Sequence, residues 1–280
     1  MYGARFGCFV LALACAVAPA LGAQSVSAER AAYVRWLTTA PTSPFGAVAQ
    51  LPVGPGITLG PAGTDVPLAG VSRHSVSEND GQLVVRSAGS EWALPRLRPS
   101  PLGRYTLVAS GEPGRTVLTV FSKPSHVTPP QYFPDDPTFA LTVVLEPPPM
   151  PGTVLVLAVD GTEVDATEAG TVAVQRGGTT TWLTVRRLPG ANPDESDLEI
   201  YFQDRTNSRG SYPAGRFVSL LPLSGGRYLL DFNRARNPFC AYNSVYACPA
   251  PWRGNGLPLT VRAGERYVSA APPASHAASQ

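Results

Sequence analysis

Two stretches of this 280-residue chain concentrate the side chains that chemistry needs. Between Phe202 and Arg234 stand Asp204, Tyr212, Arg216, Asp231, Asn233 and Arg234, which together offer carboxylates, a phenol, guanidinium groups and a carboxamide. Such a set has three physically distinct uses. In a hydrolase or lyase, Asp204 or Asp231 would be the base, Tyr212 the acid and Arg216 the partner of a developing oxyanion. In a non-enzymatic binding module, Arg216 and Arg234 would offer paired N–H donors to a small polar or acidic ligand. Asn233 and Tyr212 would orient that ligand and Trp252 would wall the site. In an envelope structural protein, the same residues would form a buried network that pins long loops, with every polar group satisfied. The binding module leads, because no nucleophile–base pair accompanies the donors.

Each use requires the residues to meet. LEIYFQ ends just before Asp204, GRFVSLL opens on Arg216, and RYLLDFN ends at Asp231 and Asn233. In hairpin-connected strands the end of one lies beside the start of the next, so the set is expected at one edge of a sheet.

Cys240 and Cys248 are the only cysteines beyond the first 23 residues, and they flank a Pro- and Tyr-containing loop. A disulfide, two free buried thiols and a metal or redox role all fit a lone pair; the first is favoured in an exported chain. His74, His126 and His276 show no ligand spacing and stand in turn-like or tail sequence, so they read as solvated, and no metal or cofactor is implied. No nucleophile elbow or phosphate-cradling loop occurs. Gly54 to Gly60 mimics a dinucleotide motif with one residue too many and reads as a loop. The acidic stretches 160–168 and 194–197 lack the alternating oxygen ligands of a calcium loop and read as hairpin turns.

The blocks Phe202 to Arg216 and Asp231 to Glu265 resemble a bacterial family, domain of unknown function 1684. The matching residues are Phe202, Asp204, Thr206, Tyr212 and Arg216, then Asp231-Phe232-Asn233, Asn237-Pro238, Cys240-Ala241-Tyr242, Cys248-Pro249, Asn255 and Ala263-Gly264-Glu265. Ser208, Ser211, Arg236, Trp252 and Gly256 depart from the pattern. Upstream of the signature region 202–266, only Phe133-Pro134-Asp135 looks family-like. The resemblance implies no activity.

The elements that must position these residues are mostly strands. With 30 prolines and 27 glycines, helices are interrupted throughout, while 44% apolar content argues against disorder. One short N-terminal helix is expected at residues 28–37, capped by Ser27. From Leu51 on, apolar residues alternate in LVVR, RYTLVAS, TVLTVF, FALTVVL, TVLVLAV, TVAVQ, TTTWLTVRR and LPLTVRA. The expected fold is mainly β, an antiparallel sandwich or barrel of about a dozen strands. Residues 24–50 form the helix and linker and 51–269 the β domain, with a possible seam at the proline run 146–152 and a disordered tail at 270–280. Residues 1–23 read as a signal peptide, with Ala20 and Gly22 at the cleavage positions. The mature chain is therefore expected to be secreted or periplasmic without a membrane span, lipid anchoring through Cys15 being a minor alternative. A net charge of +2 provides no footprint for nucleic acid.

Overall fold

The computed structural model describes residues 25–125, 127–189 and 196–267. The leader, the tail, His126, His276 and Asp194 lie outside them.

The chain begins with helix α1 (Val26–Thr39). Its cap is Ser25 rather than Ser27, the Ser25 hydroxyl accepting from Ala28 N–H, and Glu29 in the first turn complements the helix dipole. The helix ends at Ala40, since Pro41 disfavours helical geometry in the residue before it. No helix among the described residues is long and apolar enough to cross a membrane.

Sixteen strands follow among the described residues. The first nine are β1 (Ala47–Pro52), β2 (Ile57–Gly60), β3 (Val66–Pro67), β4 (His74–Asn79), β5 (Gln82–Ser87), β6 (Ser90–Ala93), β7 (Ser100–Leu102), β8 (Tyr105–Ser110) and β9 (Val117–Phe121). They build a four-stranded sheet of order β1-β9-β8-β7 and a five-stranded sheet of order β3-β2-β4-β5-β6. The two sheets share a core in which Leu59, Val76 and Val85 meet Leu107, Leu118 and Val120. Alternation along RYTLVAS sends Tyr105, Leu107 and Ala109 inward, as the period of two requires.

The other seven are β10 (Ala140–Val144), β11 (Thr153–Leu157), β12 (Glu163–Arg176), β13 (Thr179–Pro189), β14 (Ser196–Phe202), β15 (Arg216–Pro222) and β16 (Arg227–Asp231). They form one sheet of order β10-β16-β15-β14-β13-β12-β11. Among the described residues, the named strands pair antiparallel except β2 with β3. The proline run 146–152 connects the two edge strands of this sheet. Glu146 exchanges both backbone hydrogen bonds with Thr171 of β12, so the sheet curls back on itself. Gly170 makes that approach possible: it sits at a bulge with φ +140°, and a side chain there would strike the Glu146 carbonyl. Beneath the sheet lies a second core of Val172, Leu183, Val185, Ile200, Phe202, Val218, Leu230 and Phe232.

Several expectations change. Residues 163–168 are not a turn but the start of β12, and Ile57–Gly60 is a strand rather than loop. His74 is buried at 8% exposure, its Nδ1 against the Ser72 carbonyl and its ring edge-on to Trp92. LPLTVRA forms no strand, because its backbone groups bond elsewhere.

Candidate functional site

Phe202 pairs with Arg216 across β14 and β15, so residues 203–215 form the loop between these strands. Asp204 opens that loop. One of its carboxylate oxygens accepts from Thr206 N–H (3.1 Å) and Thr206 Oγ1 (2.6 Å). The other accepts from Val261 N–H at 2.7 Å and from Arg216 Nη2 at 3.3 Å. The Arg216 guanidinium, 1% exposed, also donates to the carbonyls of Val261 (3.0 Å), Ala263 (2.5 Å) and Glu265 (3.3 Å). Residues 261–265 therefore find, in one side-chain pair, the donors and the acceptor that a neighbouring strand would supply. Burial pulls the Arg216 pKa below its ordinary value, and Asp204 and Glu265 oppose the effect.

Gly264 adopts φ +76° here, and a Cβ on it would lie 2.6 Å from the Phe232 carbonyl and 2.7 Å from that of Ala235. The Ala-Gly-Glu triplet is thus pressed against the turn after β16. In that turn Asp231 accepts from Asn233 N–H (3.0 Å), Asn233 Nδ2 (2.9 Å) and Arg234 Nε (3.2 Å). The Asn233 carboxamide bridges to Asp136, accepting from its N–H at 3.0 Å and donating to its carbonyl at 2.8 Å. Segment 131–136 is also tied to Gly264 and Arg266 by backbone hydrogen bonds. Arg216 and Asn233 thus stand at one end of the sheet, linked through residues 261–265.

Tyr212 and Trp252 stand apart from that set. Tyr212 Oη lies 3.4 Å from Cys240 Sγ and 3.3 Å from Cys248 Sγ, and its ring meets Tyr267 edge-on. Among the described residues no carboxylate hydrogen-bonds to Tyr212, and the oxygens of Asp204 and Asp231 hold protein donors. Cys240 and Cys248 form a disulfide with Cα atoms 5.5 Å apart. Trp252 is buried edge-on to Tyr201 and Phe217, with Arg186 over its ring at 4.5 Å. Among the described residues, no three His, Cys, Asp or Glu side chains are grouped to hold a metal ion.

Cavities open around the 232–237 turn. The first, of about 390 Å³, lies between α1 and the turn and is lined by Arg30, Tyr33, Trp36, Tyr132, Asn233, Arg234 and Arg236, among others. Arg30 ion-pairs with Asp135 (2.5 Å), donates to the Asn233 carbonyl (2.7 Å) and lies over the Tyr132 ring. Its Nε is buried and has no acceptor among the described residues. Arg234 pairs with Glu29 of the helix, and Arg236 with the buried Glu199 at 3.0 Å. Burial raises the Glu199 carboxyl pKa, which Arg236 partly offsets. The second cavity, of about 450 Å³, is lined by Phe45, Gln131, Asn237, Tyr242, Glu265 and Tyr267, among others.

Between them runs a chain of buried polar groups. Tyr33 Oη is 3.3 Å from Tyr242 Oη, which donates to Glu265 at 2.6 Å; Asn237 N–H donates to the other Glu265 oxygen at 2.9 Å. Burial pushes the Glu265 pKa up to about 7 and raises the Tyr33 and Tyr242 phenols above their usual range.

Sequence reasoning nominated Asn233 and Arg234, which line the first cavity, but missed Arg30, Tyr33 and Trp36. The 3.6-residue spacing of Val26, Glu29, Arg30, Tyr33 and Trp36 was the available signal. It missed Asn237, Tyr242 and Glu265 as well, although all three stand within the quoted signature.

These features define a β-rich protein with an N-terminal helix docked against a clamped signature turn. Through residues 128–266, the chain belongs to the family described as "Protein of unknown function (DUF1684)". The match begins well before residue 202, where the signature starts, which agrees with the ties between segment 131–136 and residues 233–266. A solution NMR structure of the uncharacterized protein from gene locus rrnAC0354 of Haloarcula marismortui is 33% identical over 50% of this chain and 76% of that one, with a TM-score of 0.43. None of the curated proteins matches the chain.

Proposed function

We propose that this protein is an exported, non-catalytic binding module whose ligand lies in the cleft between α1 and residues 232–236. The ligand is a small molecule bearing an acidic or polar group on a flat apolar body. One observation carries this reading: the buried Arg30 Nε lacks an acceptor among the described residues, beside an aromatic-walled cavity of about 390 Å³. Leaving a buried N–H unpaired costs about 1–3 kcal/mol, which a ligand oxygen would recover. Tyr33, Trp36 and Tyr132 supply flat surface for the apolar body. Export rests on the leader-like residues 1–23 and agrees with a disulfide.

A fold-holding role suits Asp204, Arg216 and Asp231, whose polar atoms are engaged by the protein itself. On this reading the ligand donors are Arg30 and Arg236, with Asn233 and Arg234 shaping the cleft.

Calorimetric titration with benzoate, phenyl phosphate and inorganic phosphate tests the proposal. Saturable binding of an aromatic anion is expected, weakened at least tenfold in Arg30→Met. Trp36→Leu should weaken phenyl phosphate more than inorganic phosphate. No saturable binding by any of the three, or unchanged affinity in both variants, would overturn it.

A further inference from the structure

The second cavity differs in chemistry from the first. Its buried polar lining consists of acceptors: the Glu265 carboxylate and the Asn237 Oδ1, both on residues 1% exposed. Asn237 Nδ2 donates to the Arg266 carbonyl at 3.2 Å, which fixes the orientation of the carboxamide, and Oδ1 then has no donor among the described residues. Glu265 accepts from Tyr242 Oη on one oxygen and from Asn237 N–H on the other, with the Asn237 side chain also beside it, and a carboxylate has lone-pair sites beyond these. Phe45, Tyr242 and Tyr267 add aromatic rings. Arg266 is the one cation in the lining, and its guanidinium lies over the Phe133 ring at 5.5 Å.

We propose that this cavity is a second binding site, which takes a small primary amine as its ammonium ion. An ammonium group has three donors and no acceptor, which complements a carboxylate plus an amide oxygen, while aromatic faces attract the cation. Tyr242 positions one carboxylate oxygen, and the Cys240–Cys248 disulfide closes the loop that carries Tyr242. The groups facing Glu265 are the phenols of Tyr242, Tyr33 and Tyr132 and the Arg216 guanidinium, besides the Asn237 amide. None of these changes charge between pH 6 and 8. Glu265 does, with a pKa of about 7, so amine binding releases a proton and tightens as pH rises.

The site touches the cleft beneath α1 through Tyr33 and Tyr132, but its ligand acceptors lie outside that cleft and its test is separate. The probe is n-butylamine, which resembles a lysine side chain and remains protonated through pH 8 by lysine's reference pKa of about 10.4. Its affinity for the wild-type chain, measured by NMR titration, is expected to rise roughly tenfold from pH 6 to pH 8. n-Butanol should not displace it, and saturating benzoate should leave it bound. Glu265→Gln is expected to abolish the pH dependence and weaken binding at pH 8 at least tenfold. Failure of n-butylamine to bind, a pH-independent affinity, or equal displacement by n-butanol would overturn the proposal. These wild-type outcomes decide even if Glu265→Gln fails to fold.

Discussion

Two buried carboxylates, Asp204 and Glu265, stand near the same guanidinium, and their surroundings differ. Asp204 accepts four hydrogen bonds, one of them from Arg216 itself. Glu265 accepts from Tyr242 and Asn237, neither of them a cation, while Arg216 donates to its backbone carbonyl. At Glu265 burial outweighs the hydrogen bonds from Tyr242 and Asn237 and the attraction of Arg216, and the carboxyl pKa rises to about 7. The lesson is that polarity and burial do not by themselves mark a site. Asp204 is saturated and serves to splice residues 261–265 onto the sheet, whereas Glu265 and Asn237 retain acceptor capacity beside open volume.

The largest expected effect tests the saturated side. Arg216→Met removes the partner of Asp204 and the donor to three carbonyls at once. Breaking a buried ion pair on one side costs about 3–5 kcal/mol. Set against a typical stability of about 5–15 kcal/mol, much of the margin would go. Urea unfolding should show this loss, with Arg216→Lys intermediate because an ammonium cannot span the same acceptors. A loss below about 1 kcal/mol would mean that residues 261–265 are held by something else.

The next effect concerns Glu265 and has a definite sign. Its folded pKa of about 7 lies above the unfolded value of about 4.3, so the native state binds more protons between those limits. Protonation therefore favours the fold: the contribution is complete below about pH 4.3 and is lost as pH rises through about 7. Its size is on the order of 3 kcal/mol. Chemical unfolding of wild type and Glu265→Gln at pH 5 and pH 8 should show wild type losing stability over that interval relative to the variant. Parallel behaviour of the two would remove the distinction drawn between the carboxylates.

How much of this could be read beforehand follows from locality. Alternation in RYTLVAS and TTTWLTVRR, and the Gly177-Gly178 turn between β12 and β13, are encoded within a few residues, and they read correctly as strands and hairpin. The convergence of Arg216 and Asn233 was legible because strand ends in hairpins are neighbours. What could not be read depends on distant partners. LPLTVRA has the pattern of a strand, but Asp204 and Arg216 take its hydrogen bonds. His74 looked solvated because nothing nearby announces the ring of Trp92, eighteen residues on. Tyr33 and Glu265 lie far apart in sequence, and only the docking of α1 brings Tyr33 to Tyr242, which bonds Glu265. Tyr212 was nominated as an acid or orienting group because it was expected to converge with Asp204 and Arg216, and its hydroxyl lies beside the disulfide sulfurs.

A third carboxylate completes the series at the surface. Glu91 accepts from Arg86 Nε at 2.6 Å on the β5–β6 hairpin, a tighter distance than that between Arg216 and Asp204. Both side chains are well exposed, at 43% and 57%. Water solvates each ion whether or not the pair forms, and holding two long side chains together costs conformational entropy. Arg86→Ala should therefore change stability by less than about 0.5 kcal/mol, as measured by the urea midpoint at constant slope. If it costs as much as Arg216→Met, then distance rather than desolvation governs these pairs, and the contrast between Asp204 and Glu265 would need another cause.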